Sequence, residues 1–252
     1  MLSAHGQINR ADPVLPLCAD AYSADLSDTI EVVDIADIPG GGQLRLLKSG
    51  SDFSIQFGSE ELMGSCDHVS EEALATLTCA RLADRDGQVL IGGLGMGFTL
   101  GAALDVWSPR ASILVAELVP KIVEWAKGPL AHVFAGRLSD PRVAIDVADV
   151  HDVIAAASDR FDAILLDVDN GPDGLIQAEN ERLYCNWGLR SAYGALRSRG
   201  VLAIWSAYPA VGFDRRLERA GFDVEAVRVP AFAGSTDDFH HIWFATKAAS
   251  TL

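Results

Sequence analysis

The stretch Val89-Leu90-Ile91-Gly92-Gly93-Leu94-Gly95-Met96-Gly97 decides how this chain folds. Its apolar head reads as a buried parallel strand. The glycines make a turn, and Phe98-Thr99-Leu100-Gly101-Ala102-Ala103-Leu104 continues as a helix. Strand, glycine turn and helix, in that order, present backbone N–H groups to a nucleotide-like ligand. A dinucleotide fingerprint requires G-x-G-x-x-G. Counted from Gly93 the third position falls on Phe98, and counted from Gly95 it falls on Leu100, with Gly101 one place late. The spacing present is G-x-G-x-G at Gly93, Gly95 and Gly97, where no Cβ separates backbone from ligand. A tight turn with packing glycines is the competing reading.

Working outward, strand signals alternate with helical ones. Strands are expected at Val89–Ile91, Ser112–Ala116, Arg142–Ile145, Ala163–Leu166, Val201–Trp205, Phe222–Val229 and His241–Ala245. Helices are expected near 98–106, 120–127, 149–157, 181–198 and 212–220. In the longest, Leu189, Ala192, Tyr193 and Leu196 form an apolar stripe. Gly200 and Gly221 stand where C-terminal helix caps belong. Such alternation predicts a parallel sheet covered on both faces. The last two strands have no helix between them and read as an antiparallel hairpin.

Upstream, Ile30–Ile35, Gln43–Lys48 and Asp52–Phe57 are short strand signals separated by Pro39-Gly40-Gly41-Gly42 and Ser49-Gly50-Ser51. They predict a small antiparallel meander. Ser70 is the expected N-cap of a first core helix, with acids in its first turn. The expected organisation is an extended arm over 1–28, a β-meander subdomain over 29–69 and an α/β catalytic domain over 70–252.

Composition bounds the function. The formal charge is −15, from 35 acids against 20 bases, which argues against a broad nucleic-acid surface and suits a cationic small substrate. Solubility alone would also explain it. No apolar run is long enough to span a bilayer. The start lacks a basic n-region and an apolar h-region, so a cytoplasmic enzyme is the expectation. Cys18, Cys66, Cys79 and Cys185 contain no C-x-x-C pair, so no metal site is expected and reduced thiols are.

The second core strand ends at Glu117, where an acid can accept both hydroxyls of a ribose. Asp149 follows the third strand and can accept from an adenine amino group, or simply cap a helix. The fourth strand runs into Leu166-Asp167-Val168-Asp169-Asn170-Gly171-Pro172. Open α/β sheets bind ligands beyond the carboxyl ends of their strands, so Asp167 and Asp169 sit where an acceptor meets a donor. Carboxylates there can bind an ammonium, and one can take its proton as attack begins.

With these elements in order, residues 30–245 resemble the class I S-adenosylmethionine-dependent transferases, and within them the spermidine synthase (polyamine aminopropyltransferase) group. The resemblance implies a Rossmann-like seven-stranded methyltransferase-type sheet with a small N-terminal β-meander. It implies that Gly93, Gly95 and Gly97 flank the sulfonium and amino-acid end of the donor, that Glu117 holds the ribose and that Asp149 holds the adenine edge. It implies S-adenosylmethionine, or its decarboxylated form, as co-substrate without a metal, and a homodimer. Aminopropyl-transferring members carry an Asp-Ser-Ser-Asp-Pro-type loop, of which this chain keeps Asp167, with Asn170 in the second position and Asp169 one step earlier. They carry Gly-Gly-Gly-Asp-Gly-Gly, where the acid's place is Gly95 here. They also carry Tyr, then Gln or His, then Glu before the first core helix, where this chain reads Val69-Ser70-Glu71-Glu72.

An acid beside the donor tail partners an isolated ammonium and repels a carboxylate. Its absence at Gly95 therefore favours intact S-adenosylmethionine and methyl transfer to a small, amine-type acceptor. Aminopropyl transfer from the decarboxylated donor is the alternative, and a non-catalytic nucleotide-binding protein is the third. For the acceptor side, Gln56, His68, Asn170 and Tyr208 are candidates, with Trp205 as a wall. Met63 to His68 is expected as a loop over the donor site, and His240-His241 as hairpin surface.

Overall fold

The computed structural model describes residues 29–168, 170–172 and 180–249. The expected arm over 1–28 and the candidate Asp169 lie outside these residues.

Four strands come first: β1 (Glu31–Asp37), β2 (Gln43–Ser49), β3 (Asp52–Phe57) and β4 (Glu60–Gly64). They form one antiparallel sheet in the order β1-β2-β3-β4. The fourth strand corrects the loop expected from Met63. Glu60 and Glu61 are exposed and the strand ends in glycine, so it carries no apolar alternation to announce it. Pairing Ile55 with Met63 turns that methionine toward the larger domain.

The core follows as α1 (Val69–Arg81), β5 (Gln88–Gly92), α2 (Phe98–Val106), β6 (Ser112–Glu117), α3 (Pro120–Lys127), α4 (Ala131–Phe134), β7 (Val143–Val147), α5 (Val150–Ala155), β8 (Phe161–Leu166), α6 (Glu181–Tyr184), α7 (Asn186–Ala195), β9 (Leu196–Ser206), α8 (Phe213–Ala220), β10 (Phe222–Pro230) and β11 (Phe239–Lys247). The seven core strands run β10-β11-β9-β8-β5-β6-β7. β5 pairs parallel to β6 and β8, while β11 runs antiparallel to both β9 and β10. The mostly parallel sheet with one antiparallel strand is therefore as the alternation implies.

The sheet is buried on both faces, which is why its central strands read as continuous apolar runs. Val89, Leu90 and Ile91 are sealed, as are Ala163, Ile164 and Leu165 on β8. One face packs α1, α2, α3 and the small sheet around Leu74, Met96, Leu100 and Trp125. The other packs α5, α7 and α8 around Ile154, Leu189 and Phe213. Trp125 ties the two sheets together, its indole N–H donating to Asp34 Oδ2 at 2.9 Å. Each buried side chain of this size stabilises by roughly 2–3 kcal/mol.

Four local expectations fail. The N-cap position of α1 is His68, not Ser70, and the Ser70 hydroxyl points instead into a polar cluster. The helix expected over 181–198 splits at Cys185, and its second part ends at Ala195. Gly200 therefore lies within β9 rather than at a cap, because Leu196 is drawn into the sheet beside Phe161. Gly221 does cap α8, with φ at 109°. Finally, Cys66 is disulfide-bonded, while Cys79 and Cys185 are free thiols. Cys66 stands exposed in the turn after β4, whereas Cys79 is sealed in the core and Cys185 is half-buried.

Candidate active site

The chain leaves β5 toward β6 and β7, then returns to β8 on the other side of β5. That reversal opens a crevice beyond the carboxyl ends of β5 and β8. Gly93 lies on one side of it and Asp167 on the other. Gly93 has φ at 88°, and a Cβ there would collide with the Asp167 carbonyl oxygen. A side chain at this position would force the two strand ends apart.

A cleft of about 640 Å³ opens here, lined by Gly93, Glu117, Leu118, Val119, Asp149, Val150, Asp167 and Val168 together with Ile38, Leu44 and Leu62 from the smaller sheet and its turn. Glu117 is buried at its wall. One carboxyl oxygen accepts from the Leu94 N–H and the other from the Val119 N–H, each at 2.8 Å. Burial raises its pKa, and those backbone donors oppose the rise. It is held in place by the glycine turn and lines the cleft. Asp149 caps α5, accepting from the His151 N–H at 2.8 Å, and its outer oxygen pairs with Arg182. The capping role weighed for Asp149 is therefore real, and the residue lines the cleft as well.

A second space of about 560 Å³ joins Gly95, Glu71 and Asp167 under Met63, Ile122 and Trp205. Gly95 has φ at 48°, and a Cβ there would lie 2.5 Å from Met63 Cε. The Met63 sulfur accepts from the Met96 N–H at 3.1 Å. A thioether from the small sheet thus fills the place above the glycine turn. Gly97 begins α2 beneath the Phe134 ring.

Two carboxyls face each other on this floor. Thr99 Oγ1 donates to Asp167 Oδ2 at 2.6 Å and lies 3.3 Å from the Glu71 carbonyl oxygen. Burial pushes the Glu71 carboxyl up to about 7, with the Asp167 charge adding to the rise. Burial likewise raises Asp167 to about 6, against the Thr99 hydrogen bond. Both carboxyls are thus held above the ordinary carboxylate range, chiefly by burial. Glu71 was legible only as a first-turn acid of α1. Its position directly after Ser70 in the stretch compared with the Tyr-Gln/His-Glu pattern was the signal that would have found it.

The third space, about 880 Å³, is the outer cleft. Glu60, Glu61 and Asp67 stand at its edge and Glu71 at its floor, with Asn170, Trp205, Tyr208 and His240 among its walls. Asn170 is buried and donates to Glu60 at 2.8 Å. Tyr208 is half exposed at the mouth. His240 is not hairpin surface: its Nδ1 lies 2.8 Å from Ser70 Oγ, and its ring packs edge-on against Trp205 at 4.8 Å. The β11 strand pairs it with Val229 of β10 beside the cleft, which a single dipeptide could not reveal.

Two candidates are not brought to these clefts. Gln56 is buried in the small sheet and accepts from Arg45 at 3.4 Å. His68 stacks on Phe98 with centroids 4.2 Å apart, its Nδ1 2.9 Å from Glu72. Both are held by neighbours on their own side of the fold. Among the described residues no group of three or more His, Cys, Asp or Glu could hold a metal ion, and no helix is long and apolar enough to cross a membrane.

No family model matches the sequence. Polyamine aminopropyltransferases from two Saccharolobus islandicus strains, L.S.2.15 and M.14.25, are each 26% identical to it over 148 residues, 59% of this chain and 48% of theirs. The chain thus spans about half the length of the curated relatives it matches. The spermidine synthase of Thermotoga maritima superposes with a TM-score of 0.70 at 18% identity, covering 87% of this chain and 73% of that one. A spermidine synthase in complex with the transition-state analogue AdoDATO superposes at 0.71 and 19% identity, covering 87% and 74%. The chain thus shares the fold of these spermidine synthases: a seven-stranded, mostly parallel sheet with an antiparallel N-terminal sheet.

Proposed function

We propose that this chain transfers an aminopropyl group from decarboxylated S-adenosylmethionine to a small cationic amine. The observation that carries this reading is the carboxyl pair. Gly95 lacks the acid expected beside the donor tail, and that absence favoured methyl transfer. Glu71 and Asp167 line the same space as Gly95 and supply the missing negative charge from α1 and β8. A donor tail bearing only an ammonium is attracted there. The carboxylate of intact S-adenosylmethionine would face two acids, and like charges about 4 Å apart cost on the order of 4 kcal/mol at an effective dielectric of 20. Methyl transfer, the first expectation, draws no support from the similar proteins, which are polyamine aminopropyltransferases and spermidine synthases.

In this reading Glu117 takes the ribose hydroxyls and Asp149 the adenine edge. The acidic rim of Glu60, Glu61 and Asp67 draws in the acceptor amine. Asp167 accepts a proton from the acceptor nitrogen, which then attacks the donor carbon bonded to sulfur. The new C–N bond forms as the C–S bond breaks, and its electron pair leaves on the neutral thioether. The protein supplies alignment and a deprotonated nucleophile, worth about 10²- to 10⁴-fold for the proton transfer alone. The residual roles of Asn170 and Tyr208 are to wall the acceptor.

The test supplies both donors with a panel of di- and polyamines and identifies the by-product. Methylthioadenosine formed only with the decarboxylated donor supports the reading. S-adenosylhomocysteine formed from the intact donor would replace it with methyl transfer. Donor binding with neither product would support a binding protein instead.

A further inference from the structure

The transfer reading leaves a proton on a buried carboxyl at the end of each turnover, and a route for it is built into the wall. Ser70 Oγ is fully buried, 2.6 Å from Glu71 Oε2 and 2.8 Å from His240 Nδ1. It also lies 3.0 Å from Trp205 Nε1. Indole N–H can only donate, so Trp205 occupies one of the two lone pairs on Ser70. Ser70 is left with one proton and one lone pair, to be shared between Glu71 and His240. Two arrangements satisfy all three groups. Either Glu71 is protonated and donates to Ser70, which donates to His240 Nδ1, or His240 Nδ1–H donates to Ser70, which donates to the Glu71 carboxylate.

We propose that Ser70 and His240 form a proton relay that carries the acceptor's proton from Glu71 to the wall of the outer cleft. This rests on the transfer reading above. The steps balance without any added reagent. The acceptor N–H bond breaks and an O–H bond forms on Glu71, directly or by way of Asp167. Glu71 passes its proton to Ser70 Oγ as Ser70 gives its own to His240 Nδ1. The imidazolium then releases its Nε2 proton to water, and the neutral ring keeps the Nδ1 proton. Rotation of the Ser70 hydroxyl and exchange at the ring restore the starting arrangement.

The surroundings suit a carrier rather than a resting charge. Glu71 faces Asp167 and Asp67, and burial holds its carboxyl near neutrality. His240 faces His241 and Asp238, and burial, aided by His241, lowers its pKa. A proton arriving on this ring is therefore given up readily. Trp205, fixed on β9, keeps the serine from turning away.

The experiment compares the protein with Ser70→Ala, Ser70→Thr and His240→Gln. In the methylthioadenosine assay, Ser70→Ala and His240→Gln should each lower kcat about tenfold with little change in KM for the amine. Ser70→Thr, which keeps the hydroxyl, should restore most of the rate. In the free protein, ¹⁵N NMR of His240 should show the neutral ring changing from Nε2–H to Nδ1–H as pH rises through Glu71 deprotonation. Ser70→Ala should abolish that change. A wild-type rate and tautomer pattern in Ser70→Ala would overturn the relay. Absence of turnover in the unaltered protein would count against the transfer reading instead, while the tautomer measurement still decides the relay.

Discussion

In the proposed reading the donor cleft and the acceptor cleft are joined by the space that Asp167 and Glu71 line, yet they are built in different ways. The donor side comes from the ends of consecutive core strands. Gly93 and Gly95 follow β5, Glu117 ends β6, and Asp149 follows β7. The acceptor side is collected from β4, the start of α1, the segment after β8, the end of β9 and β11. A ligand site made from strand ends inherits its geometry from the sheet. A site made from scattered elements depends on how two sheets dock.

The two sides should respond differently to substitution. The largest effect is expected where they join. Asp167→Asn should lower kcat by about 10²- to 10⁴-fold while leaving donor affinity largely intact, as read by titration calorimetry beside steady-state rates. Undiminished turnover would remove Asp167 from the chemistry.

Next comes the donor wall. Glu117→Gln weakens charge-assisted hydrogen bonds worth roughly 1.5–3 kcal/mol each, so donor affinity should fall about 10- to 100-fold. Circular dichroism should show the fold retained, since the amide oxygen still accepts one backbone N–H. If amine KM rose while donor affinity stayed, Glu117 would belong to the other cleft.

The smallest effect is on stability. Glu71 has its folded-state pKa raised, so the folded protein binds the extra proton and the carboxylate destabilises the fold once ionised. That destabilisation is absent below the ordinary carboxylate range, near pH 4, and grows until the folded-state value of about 7 is passed. Glu71→Gln should therefore raise stability at pH 8, by up to roughly 3 kcal/mol, and change it little at pH 4.5. Denaturant titrations at the two pH values check the sign. An equal effect at both would mean that Glu71 is not strained by burial.

The same contrast explains what could be read from residue order alone. The run Val89 to Ile91, the glycine spacing and the acid ending the next strand are local patterns with fixed periods, and they led to the fold and to the cleft at its strand ends. Glu71 looked like a helix-end acid because helix starts favour acids whatever their role. Ser70 looked like its cap for the same reason. His240 sat in a dipeptide with no periodic meaning, and its proximity to Ser70, 170 residues earlier, is a product of sheet docking. Gln56 and His68 are polar residues in the same region, held instead by Arg45 and by Phe98. The Gly95 argument weighed charge at one position, whereas Glu71 and Asp167 reach the same space from α1 and from the end of β8.

The central claim is that carboxyls from both sides of the site select a donor tail with an ammonium and no carboxylate. The direct measurement is the affinity of the unaltered protein for the two donors by titration calorimetry at pH 8, where the pair is most ionised. Decarboxylated S-adenosylmethionine should bind at least about tenfold more tightly than the intact compound, a preference that shrinks in Glu71→Gln. Equal or tighter binding of intact S-adenosylmethionine would contradict it.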